Sequence, residues 1–97
     1  MEKTTYIRIQ KCCDQYNIEL SFIRQLQEFE IVQIESTDND PMVPIEELPK
    51  IEKMIRLHRE LDINPQGLHA IHHLLEKVTG LQEEVAILKR KLDRFKE

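Results

Sequence analysis

Glycine, serine and aromatic residues are all scarce in this sequence. Glycine occurs only at Gly67 and Gly80, so no glycine-rich loop is present to cradle a phosphate. The two serines, Ser21 and Ser36, lie outside any nucleophile motif. Tyr6, Tyr16 and the three Phe are read as core rather than as binding platforms. No apolar run approaches the roughly 20 residues of a membrane span, and "MEKTTYIRIQ" lacks the apolar heart of a signal peptide. The expected location is therefore the cytoplasm. Cys12 and Cys13 are adjacent, which rules out a C-x-x-C pair and lets them bridge only with strain. They are read as two small apolar fillers on a helix. A mostly helical chain of 97 residues offers little room for a cleft. No catalytic residue, cofactor or metal is expected, and the chain is read as a non-enzyme.

The most informative absence is local. From Gln25 to Pro49 there is no Lys or Arg, while Glu28, Glu30, Glu35, Asp38, Asp40, Glu46 and Glu47 are all acidic. The net charge of −4 understates this, because the basic residues gather elsewhere. Nucleic-acid affinity arises largely from Lys and Arg displacing counterions from phosphates. This stretch would repel a duplex.

The regular elements follow from periodicity. A short helix is expected over 9–16, stopped by Asn17 in a left-handed conformation. A second helix is expected within "IELSFIRQLQEF", with Phe22 or Ile23, Leu26 and Phe29 or Glu30 on one face. Together they form a helix-turn-helix candidate. "IVQIE" (31–35) reads as a strand, "STDND" (36–40) as a turn and "PMVP" (41–44) as a short return strand, giving a small two-stranded wing. A longer helix is expected from Ile45 to about Leu61, with Pro49 in its first turn. After the break "DINPQG", Asn64 is placed as N-cap and Pro65 in the first turn of a last helix reaching Phe95.

That last helix carries an unbroken heptad series. Ile71, Val78, Val85 and Leu92 occupy a positions, and Leu74, Leu81, Leu88 and Phe95 occupy d positions. β-branched a with Leu at d favours a parallel two-stranded coiled coil. Glu84 at g would meet Lys89 at e of a partner, whereas Lys91 and Lys96 would oppose each other. Antiparallel pairing and an internal fold-back stay open. Leu68 and Leu75 lie outside the seam, which suggests that the first half packs on its own domain. Gly80 costs about 1 kcal/mol against Ala in a helix and is a candidate bend between the two halves.

His69, His73 and Glu76 fall at i, i+4 and i+7, so one helix face could present three ligands. Without an H-E-x-x-H pattern they are read as surface histidines near a helix start.

The order helix-turn-helix, wing, long helix and dimerising helix resembles a MerR-like winged helix over about residues 6–79. "NIELSFIRQLQEFEIV" is similar to that family's second helix, and "IRLHRELDINPQGLHAI" to its later helix pair. The family's DNA binders carry an aromatic, a glycine and a basic wing where this chain has Gln25, Glu30 and "DPMVPI". A closer resemblance is to CbpM-like chaperone modulators. It is carried by "RLHREL", by Ile63, Pro65, Gly67 and Leu68 after it, and by "LKRKLDRF". This resemblance implies a non-enzymatic inhibitor that binds the J-domain of a DnaJ/CbpA-like co-chaperone. The acidic wing would complement a basic J-domain helix. The alternative is a MerR-family DNA-binding transcriptional regulator using Arg24; a third reading is a coiled-coil scaffold with a vestigial domain.

The expected architecture is mostly α: a MerR-like winged helix-turn-helix core, a small two-stranded wing and a long C-terminal coiled-coil helix. Residues 1–64 would form the winged domain. Residues 65–97 would form the last helix, its first part packed on the domain and its second part dimerising. A homodimer is expected, DNA binding is not, and no membrane is involved.

Overall fold

The computed structural model describes residues 5–37 and 39–96. Strand β1 (Tyr6–Arg8) leads directly into helix α1 (Ile9–Tyr16), followed by α2 (Leu20–Glu28). A hairpin of β2 (Glu35–Thr37) and β3 (Asp40–Pro44) comes next. A 3-10 turn (Ile45–Glu47) then enters α3 (Leu48–Leu61), and α4 (Pro65–Arg94) closes the chain. Among the described residues, no helix is long and apolar enough to cross a membrane.

Each helix stops for a local reason. Asn17 takes φ 53° and ψ 52°, the left-handed conformation that Asn tolerates best after Gly. Its open carbonyl and that of Tyr16 accept from the Arg59 guanidinium, the latter at 2.7 Å. The end of α1 is thus capped by a side chain of α3. Helix α2 ends in a Schellman arrangement: Ile31 N–H donates to Leu26 O at 2.9 Å, and Glu30 N–H to Gln27 O at 2.9 Å. Glu30 holds the left-handed position of that motif, at φ 59°. Asp62, which ends α3, is also left-handed, at φ 55° and ψ 37°. The Asn64 side chain accepts from Gly67 N–H at 2.8 Å and opens α4, with Pro65 in its first turn.

The core is aliphatic, with Phe22 its one buried aromatic among the described residues. Ile9, Cys12 and Cys13 of α1 meet Phe22, Ile23 and Leu26 of α2, and Ile51, Met54 and Ile55 of α3. Val43 closes it from the sheet and Leu68 from α4. Both cysteines are buried free thiols, as the filler reading expected. Burial pushes the Cys12 thiol up to about 11, away from reactivity.

The wing differs from expectation in two ways. The residues read as a strand over 31–35 are mostly loop, and the strand begins at Glu35. Ile31 and Val32 are β-branched because they are core anchors, both fully buried, not because they are extended. Lys50 Nζ holds the Ile31 carbonyl at 3.0 Å, and Glu47 Oε1 accepts from Gln33 N–H at 3.1 Å. The expected turn at 36–40 shrinks accordingly. Thr37 pairs with Asp40, and Asn39 at φ 62° supplies the left-handed residue a two-residue hairpin loop needs. The hairpin also gains a third strand, because β1 pairs antiparallel with the other edge of β3. Ile7 lies opposite Val43 in that pairing, and the strand order is β1-β3-β2.

Candidate functional site

The acidic stretch divides into three groups. Glu28 and Glu30 flank the end of α2. Glu35 and Asp40 stand on the hairpin. Glu46 and Glu47 form the 3-10 turn before α3. Asp38 lies outside the described residues.

Two of these carboxylates are already engaged. Asp40 pairs with Arg8 Nε at 3.1 Å, across β3 from β1. Glu47 pairs with Lys50 Nζ at 3.0 Å and accepts from Gln33 N–H, so it ties the loop to α3. Glu28, Glu30, Glu35 and Glu46 are exposed and have no ion-pair partner among the described residues. Sequence reasoning missed Arg8 and Lys50 as neighbours of this surface, since neither lies in the stretch between Gln25 and Pro49.

Three of the four free acids converge on α4. Glu28 and Glu30 line an open hollow of about 410 Å³ with Phe29, His69, His72, His73 and Glu76. Glu46 lines a second hollow, of about 570 Å³, which also includes His72 and Glu76 and continues along α4 past Thr79 and Gly80 to Glu83. Lys50 and Lys53 contribute to that second hollow from α3. The acidic surface is therefore less a wing than a strip between the end of α2, the start of α3 and the side of α4 from His69 to Glu83. Glu76 and Glu83 belong to the strip, and a reading of the stretch before Pro49 had no reason to include them.

His69 and His72 are half-buried, and His73 is exposed. His69 stacks on Phe29 with ring centroids 5.0 Å apart, and its Nε2 lies 2.9 Å from Nε2 of His73. His72, not His73, faces Glu76, at 3.7 Å. Burial pushes the His72 imidazole below its usual range, more than the Glu76 carboxylate raises it. His58 packs against Phe22 and makes a 2.7 Å hydrogen bond to the Ile63 carbonyl, steadying the turn between α3 and α4.

Arg24 is exposed on the outer face of α2, and its Nη1 donates to Gln27 Oε1 at 3.1 Å.

Helix α4 packs on α2 and α3 through its first turns only. Leu68 is fully buried and Ile71 half-buried. From Leu74 onward every seam residue named above is between 47% and 85% exposed in the single chain, so the seam has no cover. The helix runs on through Gly80, where an added Cβ would meet nothing within 4 Å.

Comparison with known proteins fits this geometry. The family model for MerR HTH family regulatory proteins matches residues 7–90. A chaperone modulatory protein, CbpM, from Pseudomonas entomophila (strain L48) is 26% identical over 84 residues, covering 86% of this chain and 83% of that protein. No solved structure gives a significant match.

Proposed function

This chain belongs to the MerR HTH regulatory-protein family as a divergent, CbpM-like member, and from that premise we propose that it is a non-enzymatic chaperone modulator whose target is the J-domain of a DnaJ/CbpA-like co-chaperone. It works in the cytoplasm, as a homodimer joined through α4.

One observation carries the reading. Glu30 occupies the left-handed position at the end of α2, where glycine would sit without strain. A left-handed β-carbon costs about 1–2 kcal/mol, and side chains kept in such conformations cluster at sites of function. The carboxylate kept there opens onto the same hollow as Glu28 and Glu76. Complementary charge of this kind governs encounter rate and partner choice more than final affinity. The strip thus suits a basic protein helix. Capture of the J-domain would block its encounter with the Hsp70-type chaperone.

The relation to HTH regulators supports a second reading, DNA binding through α2, because Arg24 stands exposed on that helix. A single arginine beside Glu28 displaces few counterions, so the reading ranks second. Pull-down against the host's J-domain proteins, run beside a duplex-DNA gel shift, separates the two. Capture of a J-domain protein without a shift supports the modulator. A salt-sensitive DNA shift without capture would overturn it.

A further inference from the structure

We propose that His69 and His73 form a two-imidazole chelate for a divalent transition ion of tetragonal preference, copper(II) or nickel(II). The two residues lie one helical turn apart on α4, and their Nε2 atoms face each other at 2.9 Å. Two metal–nitrogen bonds of about 2.05 Å span about 2.9 Å at a right angle and about 3.3 Å at the tetrahedral angle. The rings therefore stand at the separation of neighbouring positions in a square-planar or tetragonal shell. A tetrahedral ion would need them to part.

The pair is also pre-organised and suitably charged. The stack on Phe29 restrains the His69 ring, and Phe29 is itself half-buried and packed against the core. Glu28, Glu30 and Glu76 line the same hollow, and no Lys or Arg does. A cation entering there meets carboxylates, imidazoles and the Phe29 ring. Among the described residues, no three metal-ligating side chains converge on one point. The protein thus supplies two ligands, and solvent fills the other positions. Without an ion, one ring donates its Nε2–H to the other. On binding, that ring carries its proton on Nδ1 instead, so both Nε2 lone pairs face the metal and no net proton is released.

Calorimetric titration of untagged, full-length protein with nickel(II), and then copper(II), tests the assignment. One ion per chain is expected, with copper(II) the tighter and zinc the weaker of the series next to it. H73Q, at an exposed position that leaves the fold intact, should lower affinity by about tenfold or more, while H72Q should change it by less than about twofold. Unchanged binding in the H69Q/H73Q double variant would overturn the proposal, as would an H72Q loss equal to that of H73Q. An absence of heat and of any rise in melting temperature with excess nickel(II) would also overturn it.

Discussion

Tyr16 Oη donates a 2.6 Å hydrogen bond to Glu52 Oε1, tying the last turn of α1 to the outer side of α3. Together with Arg59, which caps the carbonyls at the end of α1, it locks the helix-turn-helix pair onto the third helix.

That bond gives Tyr16 an alkaline signature. The hydrogen bond to Glu52, aided by burial and the nearby carboxylate charge, raises the phenol from 10 to about 12. A group raised on folding stabilises the fold fully below its unfolded value. Its contribution is therefore intact below about pH 10 and is lost as pH climbs toward 12. Tyrosinate absorbance should show one tyrosine titrating near the higher value, and E52Q should return it toward 10. Y16F should cost about 1 kcal/mol in urea unfolding at neutral pH.

The two glycines make opposite predictions. A Cβ on Gly67 would lie 2.7 Å from Cγ2 of Ile63, a stiff β-branched side chain packed against the core. G67A should lower the melting temperature although Ala is the better helix former. G80A meets open space and should stabilise by about 1 kcal/mol, the ordinary helix-propensity difference. Thermal unfolding of both variants checks the pair.

Glu30 links stability to partner choice. E30G should stabilise the chain by about 0.5–1 kcal/mol, as left-handed strain is relieved and part of the gain is offset by glycine's chain entropy. The same change should weaken J-domain capture. Reversing Glu28, Glu30 and Glu46 to Lys should slow association, most clearly at low salt. Reversal at Asp40 should matter less, since its charge is already answered by Arg8. Stopped-flow or surface association rates at two ionic strengths measure all three effects.

Dimerisation is tested along α4. L81E with L88E puts two carboxylates into the exposed seam and touches nothing in the core. Light scattering after size exclusion should register a fall from dimer to monomer with helical content of the domain retained. A monomeric parent protein would refute the assembly.

Helix ends were legible where a single residue type decides them. Asn17 and Asn64 do what their side chains favour, so both boundaries fell where expected. The loop at Ile31 and Val32 was not legible, because burial and extension select the same β-branched residues. Strand β1 was hidden for a different reason: three residues are too few to display an alternation, and their partner β3 lies beyond two helices. The acidic stretch was visible as a run, but its neutralised members were not. Arg8 reaches Asp40 only through the sheet, and Lys50 reaches Glu47 around a helix start. The histidine pair was visible as a spacing, and only the fold shows its facing nitrogens and the phenyl ring behind them.

The strand order also sets a sequence of assembly. β2 and β3 are joined by a two-residue turn and can zip as they emerge. β1 sits on the far side of β3 and must close a loop containing both α1 and α2 before its bonds form. Such closure costs entropy that only the packed helices can offset. Loop-closure entropy therefore places the docking of β1 after the zipping of the hairpin, and couples the three-stranded sheet to the packing of α1 and α2.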